Sequence, residues 1–290
     1  MNYVLTLIGP QAAGAVSLAL IARVAEAVQG GPAISLSEGE AADIPCLAPP
    51  GRAALEAAIG AAPIDAVVTR ADGRRKRLLI ADMDSTIVTG ETLDELAAYA
   101  GVGERVAAIT RRSMNGEIDF AAALRERVAL LRGLKLDALE QTWAGVRLTP
   151  GAHSLVATMR AHGAVTALVS GGFTWFTGRV AALAGFDVHR SNVLLDDGAA
   201  LLGRVAEPIV DREAKLATLR ELAAAHGIAL ADCLAVGDGA NDLAMIRAAG
   251  LGVAYRAKPI VAAEAAARIE HSDLRALLFM QGYRADEFAC

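Results

Sequence analysis

The sequence predicts an α/β protein with a doubly wound parallel sheet, a small helical cap inserted after the first strand of that sheet, and a separate N-terminal α+β unit. Three apolar segments, at residues 78–81, 164–169 and 233–236, each run into polar residues, as buried parallel strands do at their carboxyl ends. Segments with helical periodicity separate these strands, and residues 91–143 show helical periodicity with little strand signal. We therefore expect crossover helices on the sheet and a helical insertion that serves as a lid.

The N-terminal segment has the element order β-α-β-β-α-β. We predict strands at residues 3–8, 33–36, 44–47 and 64–69, and helices at residues 11–29 and 50–59. This order resembles the ferredoxin-like fold of ACT-type regulatory domains, a fold that serves many functions. We expect this unit to span residues 1–72 and the second unit residues 73–290, with the basic residues 74–77 forming a solvated linker edge.

The cap is expected at about residues 89–148. Gly101 and Gly116 are typical of residues that end a helix, and Asp119 is placed to cap a helix that runs to Arg132. These signals divide the insertion into short helices.

Capping signals also predict where the helices after the insertion begin. Thr149 is expected to cap a helix that has Pro150 at its first position. An Asp-Asp-Gly turn at residues 196–198 indicates a hairpin, and Asp211 is expected to cap a helix that holds Lys215 in its first turn. Strands that alternate with helices of this length indicate a doubly wound parallel sheet.

Composition excludes several classes of protein. No apolar run reaches the length of a membrane span, and the most apolar early segment, residues 12–28, carries Arg23 and Glu26 and has no basic start. We therefore expect an amphipathic helix there and a cytoplasmic protein without a membrane partner. The net charge of −5 argues against a nucleic-acid partner. The cysteines are scattered without metal-ligand spacing and are expected to be free thiols: Cys46, Cys233 and Cys290.

Asp82 and Asp84 directly follow the first buried strand. Residues two apart in an extended segment share a face, so both carboxylates can point into one cleft and hold a hard cation such as Mg²⁺. Asp82 is a candidate nucleophile that attacks phosphorus, and Asp84 a candidate general acid that later becomes the general base. An isolated Asp-x-Asp is more often an acidic turn that caps the next helix, so the assignment depends on residues downstream.

The other two buried strands end in residues of complementary chemistry. Asp238 can supply a further carboxylate to Mg²⁺, alongside Asp82 and the backbone carbonyl of Asp84. Ser170 and the amide of Gly171 can bind phosphoryl oxygens. Lys215 adds a positive charge that offsets a nucleophile and a phosphate, although most lysines in such positions lie on an exposed helix face.

Together these residues resemble the four motifs of the haloacid-dehalogenase-like phosphohydrolases. The motifs stand in order as Asp82-Met83-Asp84-Ser85-Thr86, Ser170-Gly171-Gly172, Lys215, and Gly237-Asp238-Gly239-Ala240-Asn241-Asp242. The resemblance covers roughly residues 78–288, and the combination of four motifs is specific where any one of them would be weak. It implies a Rossmann-like phosphatase fold that uses Mg²⁺ and a phosphoaspartyl intermediate at Asp82. It also implies that Asp242 supports the metal and the lysine, and that Asn241 contributes to this shell and to substrate binding.

Within this superfamily the chain looks like the phosphoserine phosphatases, whose small cap is inserted between the first and second motifs. Glu91, Phe120 and Arg127 match cap residues of that family, as does the pattern of Met114 and Gly116. The resemblance implies that Glu91 and Arg127 recognise the amino-acid part of phosphoserine, and that the reaction is the last step of serine biosynthesis. On residue type alone, Phe120 could be ordinary helix packing and Arg127 a surface arginine.

Three alternatives remain open at this point. The chain could be a phosphatase for another small phosphate ester, a phosphotransferase that passes the group to a second alcohol, or a sensor protein with an inactive catalytic domain. A zwitterionic substrate needs one charge of each sign in the lid, so Glu91 with Arg127 favours phosphoserine. An inactive domain would have no need of all four motifs. We leave a homodimer open as the assembly.

Overall fold

The computed structural model describes residues 2–114 and 117–289, and its N-terminal unit is a four-stranded antiparallel sheet with two helices on one face. The strand order is β2-β3-β1-β4, which is the order of a ferredoxin-like unit, so the predicted ACT-like arrangement is confirmed at the level of topology. The elements are β1 (Tyr3–Ile8), α1 (Leu18–Ala27), β2 (Ile34–Ser37), β3 (Ala41–Cys46), α2 (Arg52–Ile59) and β4 (Asp65–Arg70).

Helix α1 begins at Leu18, so the predicted start at residue 11 is wrong. The preceding loop contains two residues with left-handed backbone, Ala12 with φ of 60° and Gly14 with φ of 61°, and a right-handed helix cannot include them. The helix starts where Ser17 accepts a hydrogen bond from the Leu20 amide at 3.2 Å. In the sequence, the apolar periodicity continues upstream of Ser17, so the start of the helix at this residue could not be recognised.

The cap is four helices that leave and rejoin the second unit at adjacent points. Strand β5 (Leu78–Ala81) is followed by α3 (Thr92–Tyr99), α4 (Gly103–Met114), α5 (Phe120–Ala129) and α6 (Asp137–Gly145). An antiparallel bridge joins Val88 to Leu148 at the base of the insertion. Asp119 caps α5 by accepting from the Ala122 amide at 2.7 Å, as predicted, although α5 ends at Ala129 rather than at Arg132. The Met114 side chain and Gly116 lie outside the described residues.

The second unit contains a six-stranded parallel sheet in the order β12-β11-β10-β5-β6-β7, so the predicted doubly wound fold is confirmed. Leu79 and Ala81 of β5 face one core cluster, and Leu78 and Ile80 face another, so both faces of the sheet are covered. After the cap, the elements are α7 (Ala152–Ala161), β6 (Val165–Phe173), α8 (Thr174–Ala184), β7 (Val188–Asn192), β8 (Leu194–Asp196), β9 (Leu201–Val205), α9 (Arg212–Ala225), β10 (Cys233–Gly237), α10 (Leu243–Ala248), β11 (Leu251–Tyr255), α11 (Pro259–Glu264), β12 (Ala267–Ile269) and α12 (Ala276–Met280).

The predicted start of α7 is wrong. The Thr149 hydroxyl does not cap the helix, since the residue before Ala152 is Gly151 in a left-handed conformation with φ of 82°. Thr149 is buried, and its amide donates to the Ile87 carbonyl at 2.9 Å, which extends the paired segments at the base of the cap. The chain must then turn at Gly151, where a Cβ would lie 2.6 Å from the Arg275 amide nitrogen.

Arg74 lies between the two units, so the prediction of a solvated linker edge is wrong for this residue. Its guanidinium donates to both carboxylate oxygens of Asp43, at 2.5 and 3.0 Å, and to the Thr6 hydroxyl at 3.0 Å. It also contacts the backbone carbonyls of Phe279 and Met280 at 3.3 Å. The Arg74 side chain is 12% exposed and that of Asp43 is 6% exposed. This ion pair therefore joins the N-terminal sheet to the end of the second unit.

No helix among the described residues is long and apolar enough to cross a membrane. Cys46 and Cys233 are buried free thiols, as expected, and Cys290 lies outside the described residues.

Candidate active site

Asp82 lies at the carboxyl end of the central strand and is held by a buried lysine. Its Oδ1 accepts from the Met83 amide at 2.8 Å and from Lys215 Nζ at 2.7 Å. Lys215 is fully buried and also contacts Asp242 Oδ1 at 2.6 Å, so the reading of Lys215 as an exposed surface lysine is wrong. Burial by itself lowers the pKa of Lys215, but the charges of Asp242 and Asp82 raise it above its usual value. Lys215 is therefore a fixed positive charge.

Asp84 follows in the turn after the strand and faces the glycine segment of β6. Its Oδ1 accepts from the Thr92 amide at 3.0 Å. A Cβ at Gly172 would lie 2.8 Å from Asp84 Oδ2 and 3.1 Å from Ser170 Oγ, so both side chains lie directly over this glycine. Burial raises the pKa of Asp84 well above its usual value, and the negative charges of Glu91 and Asp82 raise it further. A raised pKa favours the protonated form of the Asp84 carboxyl.

The Ser170 to Gly172 segment is fixed by hydrogen bonds on both sides. Ser170 is buried, and its Oγ accepts from the Gly172 amide at 2.8 Å. The Gly171 carbonyl accepts from Asn192 Nδ2 at 2.8 Å, and Asn192 Oδ1 in turn accepts from the Val210 amide at 2.7 Å. Asn192, at the end of β7, was not found from the sequence because it belongs to no motif. Asn192 fixes the orientation of the Gly171 peptide group.

A cluster of three buried carboxylates is suited to a metal ion. Oxygen atoms of Asp82, Asp238 and Asp242 lie within 4.8 Å of one another. Asp242 is already engaged, since it accepts from Lys215 and, at 3.0 Å, from the Gly239 amide. The Asp238 carboxylate accepts no hydrogen bond from the part of the chain that the structure describes, and burial, followed by the charge of Asp82, raises its pKa to about 7. Asp82 and Asp238 therefore fit a hard cation, with Asp242 supporting Lys215.

Asn241 lies in the short turn at residues 240–242, between the metal-site carboxylates. Its side chain folds back over Gly239, close to the position where a Cβ at that glycine would lie. It therefore lies beside the loop that carries Asp238.

Glu91 lies on the cap side of the cleft, directly before α3. Its Oε1 accepts from Ser85 Oγ at 2.6 Å, and Ser85 itself has a left-handed φ of 54°. Glu91 is an exposed residue, but neighbouring atoms partly desolvate its carboxyl and raise its pKa. The charge of Asp82 adds to this rise. Ser85 was part of a recognised motif, but its contact with Glu91 was not anticipated because it depends on this strained turn.

Arg127 lies on α5, close enough to Asp94 and Glu91 for their charges to act on it. Its Nε donates to the Ala123 carbonyl at 3.3 Å and its Nη1 to Thr110 Oγ1 at 3.5 Å. Desolvation lowers the pKa of Arg127, and the charges of Asp94 and Glu91 oppose this shift. Within residues 2–114 and 117–289, no carboxylate forms an ion pair with it. A half-buried arginine in this state has donors free for an anionic ligand.

Phe120 connects the cap with the sheet. A Cβ at Gly171 would lie 2.8 Å from its ring Cζ, so the ring covers that glycine. The structure thus brings the motif residues of β5, β6, α9 and β10 together at one sheet edge, and Glu91, Phe120 and Arg127 face this edge from the cap. The contacts of the Thr92 amide and of the Asn192 amide group, like the hydrogen bond from Ser85 to Glu91, were not indicated by the sequence.

Comparisons with known proteins show the family to which the chain belongs. A model of the haloacid dehalogenase-like hydrolase family matches residues 79–247. A phosphoserine phosphatase of Streptomyces coelicolor is 41% identical over 240 residues, which cover 82% of this chain and 58% of that protein. One from Streptococcus thermophilus is 45% identical over 199 residues, covering 69% of this chain and 93% of that protein. The solved structure of a probable phosphoserine phosphatase from Vibrio cholerae has a TM-score of 0.79 at 31% identity, covering 97% of this chain and 86% of that one.

The chain spans a little over half the length of several of these relatives, 58% in the Streptomyces protein and 55% in a phosphoserine phosphatase of Archaeoglobus fulgidus. The family model nevertheless covers more than half of the chain, and the Streptococcus relative is matched over nearly its whole length. The chain therefore belongs to the haloacid dehalogenase-like hydrolases, and within that family it is similar to proteins named phosphoserine phosphatase.

Proposed function

We propose that this chain hydrolyses O-phospho-L-serine to L-serine and phosphate through a phosphoaspartyl intermediate at Asp82. The observation that carries the proposal is a paired arrangement of charges across one cleft. Asp82, which contacts Lys215 at 2.7 Å, and Asp84 form the floor of the cleft. Glu91 and Arg127 face them from the cap, and Arg127 forms no ion pair with a carboxylate in the described part of the chain. The names of the relatives, phosphoserine phosphatases from several organisms, support the same substrate.

In the first step, a carboxylate oxygen of Asp82 attacks the phosphorus atom. The bond from phosphorus to the serine oxygen breaks as the bond to Asp82 forms, and Asp84 donates its proton to the departing serine oxygen. The raised pKa of Asp84 supports this role, because it favours the protonated form, from which the proton would pass to the leaving group. Ser170 and the Gly171 amide are proposed to bind the phosphoryl oxygens, and Lys215 to offset the negative charge of nucleophile and phosphate.

In the second step, the same Asp84, now a carboxylate, removes a proton from water. The water oxygen attacks phosphorus, the bond to Asp82 breaks, and phosphate leaves with Asp84 protonated again. One residue can serve both steps because each step returns it to the state that the other requires.

We propose Mg²⁺ as the metal, because carboxylate and carbonyl oxygens are suitable ligands for a hard divalent cation. Asp82 and Asp238 would hold it by carboxylate oxygens and Asp84 by its backbone carbonyl, while water would complete the shell. When bound, the ion would neutralise charge on the phosphoryl group. Asp242 would keep Lys215 in position, and Asn241 would support the substrate and this shell.

The cap residues are proposed to select the amino acid. Glu91 would bind the ammonium group, and Arg127 would bind the carboxylate with two parallel donors. Phe120 would close the cleft over Gly171. We also propose that residues 1–72 form the N-terminal unit and residues 73–290 the second unit, into which the cap is inserted at about residues 89–148.

The alternative is a phosphatase or phosphotransferase that acts on another small phosphate ester. Measuring phosphate release from a panel of such esters, with and without Mg²⁺, separates the two. We expect phosphoserine to be hydrolysed with the highest kcat/KM and only in the presence of the metal. A panel in which phosphoserine is not preferred, or in which the phosphate passes to an added alcohol, contradicts the proposal.

A further inference from the structure

Asn192 is a buried amide side chain behind the segment of β6 that is proposed to bind phosphate. It is 1% exposed and lies at the end of β7, where its backbone pairs with Phe173 of β6. Its backbone carbonyl accepts from the Thr174 hydroxyl at 3.1 Å, directly after that strand. The backbone of Asn192 is therefore held beside β6, and the proposed reaction gives its side chain no role.

Asn192 and Ser170 hold one peptide group from opposite ends. The carbonyl of Gly171 and the amide of Gly172 belong to the same peptide bond. Asn192 Nδ2 donates to the carbonyl at 2.8 Å, and the amide donates to Ser170 Oγ at 2.8 Å. A rotation of this peptide plane would break both hydrogen bonds, so its orientation is fixed.

These hydrogen bonds form a chain that ends at the cleft. Because Ser170 Oγ accepts from the Gly172 amide, its own proton is left to donate, and no acceptor in the described part of the chain takes it. Hydrogen bonds in series polarise one another, so the donation from Asn192 strengthens the Ser170 hydroxyl as a donor. A Cβ at Gly172 would lie 3.1 Å from Ser170 Oγ and 2.8 Å from Asp84 Oδ2, so the hydroxyl lies on the Asp84 side of this segment, at the floor of the cleft.

The oxygen of the same side chain contacts the segment that precedes Lys215. Asn192 Oδ1 accepts from the Val210 amide at 2.7 Å. The next residue, Asp211, caps α9, and its carbonyl accepts from the Lys215 amide at 3.0 Å. One buried amide group therefore joins the peptide of β6 to the start of the helix that carries the buried lysine.

We propose that Asn192 is a positioning residue that orients two of the groups that receive the phosphate. Through the peptide of β6 it directs the Ser170 hydroxyl toward a phosphoryl oxygen, and through Val210 it holds the start of the helix that carries Lys215. The inference rests on the proposed function in placing the phosphate group at Ser170. Asn192 itself contacts no substrate atom, so it acts on affinity for the phosphate group, whatever that group is attached to.

The chain offers a matched control in Gln281, which is also a buried amide side chain with 1% exposure. Its Nε2 donates to the Leu277 carbonyl at 2.9 Å, and its Oε1 accepts from the Lys76 amide at 2.9 Å. Lys76 precedes β5, so these hydrogen bonds lie at the amino end of that strand, opposite the cleft. Asn192→Ala and Gln281→Ala each remove an amide that joins a backbone carbonyl to a backbone amide, and we expect similar losses in the free energy of unfolding.

Phosphate binding should distinguish the two variants. In calorimetric titration with inorganic phosphate in the presence of Mg²⁺, Asn192→Ala should raise the Kd by about tenfold to a hundredfold, the scale of one hydrogen bond to a charged group. Gln281→Ala should leave this Kd unchanged. The affinity for Mg²⁺ alone should stay unchanged in both, because Asp82 and Asp238 are not displaced. Asn192→Leu keeps the shape of the side chain without its hydrogen bonds and should weaken phosphate binding as alanine does, which excludes a cavity as the cause.

Turnover gives a second readout. In Asn192→Ala, kcat/KM should fall by the same factor for phosphoserine and for phosphoethanolamine, because the two esters share the phosphate group. A phosphate Kd for Asn192→Ala equal to that of Gln281→Ala overturns the inference even if the parent is an efficient phosphoserine phosphatase. An equal loss of Mg²⁺ affinity, or unequal losses on the two esters, also overturns it. A parent that does not hydrolyse phosphoserine contradicts the proposed function, whereas weaker phosphate binding by Asn192→Ala would still support the role of Asn192.

Discussion

The position of Asp84 depends on a glycine opposite it. A Cβ at Gly172 would lie 2.8 Å from Asp84 Oδ2 and 3.1 Å from Ser170 Oγ. The Asp-x-Asp spacing and the Ser-Gly-Gly segment were both recognised in the sequence, but their mutual contact was not. A contact between residues almost ninety positions apart follows from the pairing of β5 with β6, which short motifs do not encode.

Replacing Gly172 by alanine should slow the reaction without unfolding the protein. The added methyl group displaces the Asp84 carboxyl from the leaving group, so we expect kcat for phosphoserine to fall by about 10²- to 10⁴-fold, the range for lost general acid catalysis. An aryl phosphate needs little help from an acid and should recover part of the rate. If the aryl phosphate is slowed as much as phosphoserine, Gly172 does not act through Asp84.

Replacing Arg127 by alanine should affect substrate choice. Each charge-assisted hydrogen bond to the carboxylate contributes about 1.5–3 kcal/mol, so kcat/KM for phosphoserine should fall by roughly tenfold to a few hundredfold. Phosphoethanolamine lacks the carboxylate and should be hydrolysed slowly by the parent and equally slowly by the variant. Equal losses on both substrates would remove Arg127 from the recognition site.

At the scale of elements, the cap is joined to the hairpin formed by β8 and β9. The Gly133 amide donates to the Leu201 carbonyl and the Leu201 amide to the Leu134 carbonyl, both at 2.9 Å. The Leu136 amide donates to the Ala199 carbonyl at 3.1 Å. Helix α5, which carries Phe120 and Arg127, is therefore tied to a second element. The sequence predicted both the cap and the hairpin, but backbone pairing between loops leaves no periodic pattern to find.

Substitutions at two glycines of the hairpin distinguish the effect of backbone strain from the effect of contact with the cap. Gly198 and Gly203 both have positive φ, 87° and 68°, but a Cβ at Gly198 meets nothing within 4 Å, whereas one at Gly203 would lie 2.7 Å from Arg132 Cβ. Gly198→Ala should cost about 1–2 kcal/mol from strain alone. Gly203→Ala should cost roughly 1–3 kcal/mol more, because the cap must shift. Urea unfolding of both variants measures the difference, and equal losses of stability would mean that the hairpin does not support the cap.

At the scale of the whole molecule, buried polar contacts join the N-terminal unit to the second unit. Besides the pair of Arg74 with Asp43, the Asp65 carboxylate accepts from the backbone amides of Glu270, His271 and Ser272 at 2.8–3.3 Å. The fold class and the order of elements along the chain could be predicted because each element has its own periodicity. This interface could not, since a basic cluster next to a domain boundary has the composition of an exposed linker.

Breaking the buried pair should destabilise the protein. Asp43→Ala leaves the Arg74 guanidinium buried without its partner, so we expect a loss of about 3–5 kcal/mol in the free energy of unfolding. Glu221→Ala is the control, because its pair with Arg190 is exposed and should contribute less than about 1 kcal/mol. Similar small losses in both variants would show that the buried pair does not stabilise the protein.

The central claim is that Asp82 carries the phosphoryl group during turnover. Rapid acid quenching of the protein with radiolabelled phosphoserine and Mg²⁺, followed by peptide mapping, tests it most directly. We expect label on the peptide that contains Asp82, and no label in Asp82→Asn, whose turnover should fall more than about a thousandfold because an amide is a poor nucleophile. Label on another residue, or a labelled Asp82→Asn protein, would contradict the account.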